Sequence, residues 1–146
     1  MQREHMPNAK VKPTLVLADD HIGMLNKVVE ILGEEVRILA KVQDGYSAVR
    51  AAQDFNPDLL VLDIAMPKLN GIEAARELRR RGLATKIIFL TVQEDLDYLK
   101  AAQEIGAGYV LKPRMSTDLI VAVREALMGR MFVSSTLTAV VPAKAE

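Results

Sequence analysis

Five polar side chains are spaced along the chain in a way that invites chemistry. Asp19 and Asp20 follow TLVLA, Asp63 follows LLVL, Thr91 follows KIIFL, and Lys112 follows YVL and directly precedes Pro113. Each stands at the end of a short aliphatic run. Three carboxylates gathered at low dielectric repel one another, and a single lysine cannot neutralise all three. A hard cation such as Mg2+ can, because it takes one or two carboxylates, a backbone carbonyl and several waters. Together the residues make sense as a metal site beside a nucleophilic or phosphate-accepting oxygen. Singly they have plainer readings: Asp20 and Thr91 as helix N-caps, Asp63 as a turn residue before Met66-Pro67, and Lys112 as a solvated charge.

Which reading holds depends on the elements that carry them. Thr14–Ala18 reads as a strand, and from Ile22 the apolar residues Ile22, Leu25, Val29 and Leu32 recur at helical spacing, with Gly33 as a stop. Val36–Val42 mixes apolar and charged residues, as an edge strand does. Tyr46–Phe55 reads as a helix, Leu59–Leu62 as a strand, Gly71–Arg81 as a helix closed by Gly82, and Lys86–Leu90 as a strand. Asp95–Ile105 follows as a helix, Tyr109–Leu111 as a short strand, and Ser116–Arg130 as a helix with Ser116 or Thr117 at its N-cap. Five strand–helix units in succession predict an α/β domain with right-handed crossovers, and nearly all-apolar strands belong in a parallel sheet covered on both faces. The functional crevice of such a sheet lies outside the carboxyl ends of its strands. All five polar positions fall there.

Composition narrows the classes further. The 146 residues suit one compact domain, and half of them are hydrophobic. Lysine plus arginine equals aspartate plus glutamate at 19 each, which gives no whole-molecule argument for nucleic acid or an anionic membrane. The absence of cysteine excludes disulfides and thiolate metal sites. The first thirteen residues lack the apolar run of a signal peptide, and no stretch approaches the ~18 apolar residues of a membrane span. The chain reads as soluble and cytoplasmic.

The motifs LVLADDH at 15–21, LVLDIAMPKLNGIEAARELR at 60–79, IIFLT at 87–91 and GAGYVLKP at 106–113 resemble the receiver domain of two-component response regulators. The likeness spans about residues 12 to 131, and the ADDH and DIAMP-x-LNG-x-EA runs are most similar to the NarL/FixJ (LuxR-type) subfamily. The resemblance implies a flavodoxin-like (CheY-like) fold: a doubly wound five-stranded parallel sheet, strand order 2-1-3-4-5, with helices on both faces. It implies that Asp63 accepts a phosphoryl group from a histidine kinase or phosphotransfer protein, as a self-modifying acceptor and not as an enzyme acting on a separate substrate. Asp20, Asp63 and the main-chain carbonyl of Ala65 would hold Mg2+, with Asp19 supporting the site. Lys112 and Thr91 would contact phosphoryl oxygens, and Tyr109 would act with Thr91 as the switch, turning inward as Thr91 is drawn in. Pro113 would fix the turn after Lys112, a bond the family often has in the cis form. A homodimer formed on phosphorylation is a further family expectation.

Several residues depart from the pattern or stand outside it. Val92 is bulkier than the small residue usual after the threonine, and Lys68 stands where the subfamily often has glycine. Ala65 and Gln93 occupy positions that tune dephosphorylation in the family. Arg76, Arg79, Arg80 and Arg81 read as a solvated helix end, and His21 as a structural or exposed residue at the helix start and not a metal ligand. The expected organisation is a flexible segment over 1–12, the receiver domain over 13–131, and a tail or linker remnant over 132–146 without an output domain. Control of transcription through a missing or separate DNA-binding domain is the expected output, with a stand-alone receiver acting by protein contact as the alternative. An aspartyl phosphatase would want a second acid two residues after Asp63, where Ala65 stands, and no G-x-G-x-x-G follows the first strand for a dinucleotide.

Overall fold

Strand and helix alternate from Thr14 to Leu127 in a computed structural model that describes residues 11–134. The elements are β1 (Thr14–Ala18), α1 (Ile22–Leu32), β2 (Arg37–Val42), α2 (Gly45–Phe55), β3 (Leu59–Leu62), α3 (Gly71–Arg80), β4 (Lys86–Thr91), α4 (Leu96–Ile105), β5 (Gly108–Leu111) and α5 (Met115–Leu127). The expected N-terminal segment, apart from Val11 and Lys12, and residues 135–146 of the expected tail lie outside the described residues. The five strands pair in parallel in the order β2-β1-β3-β4-β5, the order the sequence predicts. No helix among the described residues is long and apolar enough to cross a membrane.

Side chains alternate across the sheet and fill two cores. Leu15, Leu17, Leu59, Val61, Ile88, Leu90 and Val110 face Leu25 and Val28 of α1 and Leu119 and Val123 of α5. Val16, Ala18, Leu60, Leu62, Ile87, Phe89 and Tyr109 face Ala48 and Ala52 of α2, Ala75 and Leu78 of α3, and Leu99 and Ala102 of α4. Covered on both sides, β3 has no use for a polar residue until it ends. Each fully buried leucine or isoleucine contributes about 1.5–3 kcal/mol, so the sheet core is held firmly enough to fix what projects from its edge.

Helix starts are fixed by side chains on the loops that precede them. Asp44 Oδ1 accepts the Ser47 N–H at 2.8 Å ahead of α2, and Asp95 Oδ1 accepts the Asp97 N–H at 2.8 Å ahead of α4. At α3, Asn70 Oδ1 accepts the Glu73 N–H at 2.9 Å while Glu73 Oε1 accepts the Asn70 N–H at 3.0 Å, a reciprocal cap that explains the LNGIE run locally.

Some boundaries differ from expectation. Lys112–Arg114 forms a single 3₁₀ turn, so α5 begins at Met115, and Ser116 and Thr117 lie inside it instead of capping it. Thr117 Oγ1 instead donates to the Arg114 carbonyl at 3.1 Å. The Lys112–Pro113 bond is trans, not the cis form the resemblance implies. Arg79 is not a solvated helix end. Its guanidinium is half-buried and donates to the carbonyls of Leu83 (3.0 Å), Thr85 (2.8 Å) and Ile105 (3.3 Å), tying α3 to the segments before β4 and after α4. Arg80 and Arg81 pair with Glu77 on the surface.

Candidate functional site

Asp63 emerges directly from β3, and its N–H is tied to the Ala18 carbonyl at 2.9 Å. Asp19 emerges from the neighbouring β1, its N–H tied to the Val42 carbonyl at 3.0 Å. The strand ladder thus sets both carboxylates at one sheet edge, 2% exposed for Asp19 and 4% for Asp63. Lys112, the residue after β5, reaches back between them: Nζ lies 2.8 Å from Asp19 Oδ2 and 3.2 Å from Asp63 Oδ2. Asp20 is partly exposed beside them, and its main-chain carbonyl accepts from Gln43 Nε2 at 3.3 Å. The four groups that the sequence places in the loops after β1, β3 and β5 meet in one crevice. Asp20 does not cap α1, whose N-cap is His21 without a side-chain bond, and α4 takes its cap from Asp95 and not from Thr91.

The electrostatics are those of crowded acids sharing one cation. Burial pushes the Asp63 carboxyl above its ordinary range, with Asp19 adding to the effect and Lys112 opposing it. Burial works against the Lys112 ammonium, but the carboxylates of Asp19 and Asp63 beside it outweigh that and hold its pKa above the usual value. Asp19, Asp20, His21 and Asp63 each offer a ligand atom within 4.8 Å of the others, a cluster that could hold a metal ion. Asp19 Oδ2 and Asp20 Oδ1 are buried and lack an aligned hydrogen-bond donor; Lys112 Nζ lies 2.8 Å from the first and His21 Nδ1 3.1 Å from the second. Unfilled acceptor lone pairs facing a carboxylate cluster fit a hard, oxygen-seeking cation. His21 sits closer to this cluster than the sequence suggests, with Nδ1 3.1 Å from Asp20 Oδ1 and 3.3 Å from Asp19 Oδ1.

The loop from Asp63 to Asn70 is seated by two glycines. A Cβ on Gly71 would lie 2.1 Å from the Asp63 carbonyl oxygen, and a Cβ on Gly45 would lie 1.9 Å from the Leu69 carbonyl oxygen. The Gly71 N–H also donates to the Ile64 carbonyl at 2.8 Å, and the Ala65 N–H donates to Asp63 Oδ1 at 3.3 Å. Lys68 lies on this loop with φ 71°, in the left-handed region, which accounts for glycine suiting the position. A cleft of about 500 Å³ between α2 and α3, lined by Tyr46, Arg50, Gln53, Leu69, Glu77 and Arg81 among others, includes none of Asp19, Asp20 and Asp63.

Thr91 and Tyr109 meet through the backbone of Gln93. Thr91 Oγ1 accepts the Gln93 N–H at 3.1 Å, and the Tyr109 hydroxyl donates to the Gln93 carbonyl at 2.7 Å. Both residues are fully buried. The Tyr109 ring therefore already occupies the interior, before any inward turn. Burial chiefly, with the charge of Asp95, pushes its phenol well above the ordinary range. The sequence reading names Gln93 only as a position that tunes lifetime; its main-chain role has no side-chain signature to read.

Against known proteins, residues 15–124 match the model of the response regulator receiver domain. This chain belongs to the response regulator receiver family. It is 35% identical over 130 residues to the transcriptional regulatory protein DegU of Brevibacillus brevis, covering 87% of this chain and 55% of that protein. It is 31% identical over 133 residues to the nitrate/nitrite response regulator protein NarL of Escherichia coli K12, covering 89% of this chain and 62% of that one. The chain thus spans little more than half the length of these two relatives. A two-component response regulator of the LuxR family from Aurantimonas sp. SI85-9A1 superposes with a TM-score of 0.83 at 27% identity, over 88% of this chain and 94% of that one. The receiver fold and the LuxR-type affinity read from the motifs hold, and the chain is a receiver domain of the two-component type.

Proposed function

We propose that this receiver is switched by a phosphoryl group taken up on Asp63. The observation that carries the proposal is the Asp63 carboxylate at the end of β3, buried, 3.2 Å from Lys112 Nζ and clustered with Asp19 and Asp20. One Asp63 oxygen attacks phosphorus while the bond from phosphorus to the donor breaks; with a phosphohistidine donor this is a P–N bond, and the imidazole leaves. Mg2+ is the cation assigned to the acidic cluster, held by Asp20, Asp63 and the Ala65 carbonyl with Asp19 in support. When bound it offsets the charge that an anionic nucleophile and an anionic donor would otherwise set against each other. Lys112 stays charged in this environment and is placed to meet a phosphoryl oxygen. Thr91 offers its hydroxyl to a second one, and a shift of Thr91 acts on Gln93 and through it on Tyr109.

The donor assigned is a histidine kinase or phosphotransfer protein in the cytoplasm, and the receiver acts as a phosphoacceptor, with a homodimer on phosphorylation. The output is control of transcription, exerted by a DNA-binding unit other than residues 11–134. Incubation with acetyl phosphate and Mg2+, followed by intact mass, tests the reading. One added phosphoryl group on the parent and none on Asp63→Asn is the expected result. An equal adduct on Asp63→Asn, or none on the parent, overturns it.

A further inference from the structure

A second buried polar network lies on the outer edge of β5, away from the acidic cluster. As the last strand of the sheet, β5 presents main-chain groups that need partners. Residues 132–134, which the sequence reading assigns to a tail, supply them. The Tyr109 N–H donates to the Phe132 carbonyl at 2.8 Å, the Ser134 N–H donates to the Tyr109 carbonyl at 3.0 Å, and Val133 pairs in parallel with Tyr109. Ser134 is fully buried. Its hydroxyl accepts the Leu111 N–H at 3.0 Å and donates to Asp118 Oδ2 at 2.9 Å. Asp118, itself buried on α5, also accepts from Arg114 Nε at 3.0 Å, and the Thr117 hydroxyl, whose one proton is shared with the Arg114 carbonyl, lies 3.1 Å from its Oδ1. Burial alone would raise the Asp118 carboxyl, but the Ser134, Arg114 and Thr117 side chains hold it below its usual range, so it stays ionised at neutral pH.

We infer that the outer edge of β5 is a strand-addition seat for residues 132–134 of the same chain, coupled to the acidic site through Tyr109 and Lys112. The coupling follows from which residues do the holding. Tyr109 makes two of the three main-chain bonds to the segment, and its side chain ends on Gln93, which Thr91 also holds. Leu111 makes the third, and the next residue is Lys112, whose ammonium lies between Asp19 and Asp63. A change of charge at Asp63 redistributes the contacts of Lys112 and shifts the strand end that carries the Ser134 bond. Linkage runs both ways, so loosening the segment must also alter what the acidic site binds. Whatever follows Ser134 in the chain is tied to the site by this seat.

The phosphoryl arm of the test rests on the reading of Asp63 given above; the Mg2+ arm does not. Amide hydrogen exchange of the full chain is followed at Tyr109, Leu111 and Ser134 in the parent, Ser134→Ala and Asp118→Asn. Each is measured alone, with Mg2+, and with Mg2+ plus acetyl phosphate, with intact mass read in parallel. In Ser134→Ala the Leu111 and Tyr109 amides exchange roughly five- to tenfold faster, the effect of losing about one net hydrogen bond, and Asp118→Asn moves them the same way. In the parent, Mg2+ and the adduct each change exchange at these amides, and the Mg2+ midpoint of Ser134→Ala shifts from that of the parent. Unaltered Leu111 and Tyr109 exchange in both variants overturns the seat. Exchange that ignores both Mg2+ and a formed adduct overturns the coupling while leaving the phosphoacceptor reading intact. A missing adduct with Mg2+-sensitive exchange does the reverse, and failure of both arms removes both.

Discussion

The ammonium of Lys112 stands 3.2 Å from Asp63 Oδ2, and the same nitrogen lies 2.8 Å from Asp19 Oδ2, with only 9% of the lysine side chain exposed. One cation therefore holds two buried carboxylates from separate strands at the sheet edge. Removing the cation that two buried carboxylates share leaves both unpaired, which costs about 3 kcal/mol or more. Lys112→Ala is expected to unfold at correspondingly lower urea, and saturating Mg2+ is expected to restore part of the loss by mass action. The raised pKa of Lys112 means that its contribution is fully present below the ordinary lysine pKa and is lost as pH rises through the folded value, so it is intact at neutral pH. An unchanged urea midpoint for Lys112→Ala would show that the ammonium is idle.

Asp63→Asn is expected to stabilise the metal-free protein. The carboxyl is held above its ordinary pKa chiefly by burial, so the folded state resists its ionisation. The sign follows: below the unfolded-state pKa both states are protonated and nothing is lost. As pH rises from there through the raised folded value, the destabilisation develops in full. The gain from Asn should thus be small near pH 4 and larger at neutral pH. Urea titrations of both proteins at the two pH values, without divalent cations, measure it. A gain that is larger at the acid end contradicts the assignment.

The sheet was legible because its strands are buried on both faces: β1 and β3 fall where the aliphatic runs predict, and Asp19, Asp63 and Lys112 converge because parallel strands share one carboxyl edge. What escaped the sequence depended on main-chain partners. The start of α5 moved to Met115 because Pro113 sits inside a 3₁₀ turn that enters the helix early. Arg79 looks like its arginine neighbours until three carbonyls from distant segments close on it. Phe132–Ser134 carry no strand signature, since a single bridge to Tyr109 and one buried hydroxyl define their position. Gly45 and Gly71 are ordinary glycines in the sequence and become spacers only when the loop from Asp63 to Asn70 packs against them.

Those spacers make a further prediction. A methyl group at position 71 would collide with the Asp63 main chain, and one at position 45 with that of Leu69, neither of which is a flexible side-chain tip. Gly71→Ala should destabilise by about 1–3 kcal/mol and weaken Mg2+ binding, because Asp63 and the Ala65 carbonyl must shift with the loop. Gly45→Ala should do the same from the opposite side of the loop. Thermal denaturation and Mg2+ titration by calorimetry separate the two effects. Parent-like metal affinity in a destabilised Gly71→Ala would show that the loop yields without moving the acids.

Lys68 holds a φ of 71° that glycine adopts freely. The left-handed region costs a non-glycine residue roughly 1–2 kcal/mol, and glycine returns part of that as chain entropy in the unfolded state. Lys68→Gly should therefore gain about 0.5 kcal/mol, while Lys68→Ala, which keeps the backbone strain, should not. A paired denaturation series reads the difference. Equal effects of the two substitutions would assign any change to the lost charge instead.

The Tyr109 hydroxyl is the link most open to direct test. It donates to the Gln93 carbonyl from a fully buried ring, and Gln93 N–H is held in turn by Thr91. Tyr109→Phe keeps the ring in its core position and removes only the donor, so about 1 kcal/mol should be lost and the loop between β4 and α4 should loosen while the sheet stays intact. Limited proteolysis or amide exchange over residues 92–95 should rise, with exchange in β3 unchanged. Alkaline titration adds an independent check, because a phenol held above its usual range by burial keeps its proton as pH passes the ordinary tyrosine value. The parent should retain one tyrosine absorbance step beyond that range, and Tyr109→Phe should lose that step. If the late step persists in Tyr109→Phe, the buried phenol is another residue and the Thr91–Gln93–Tyr109 connection loses its anchor.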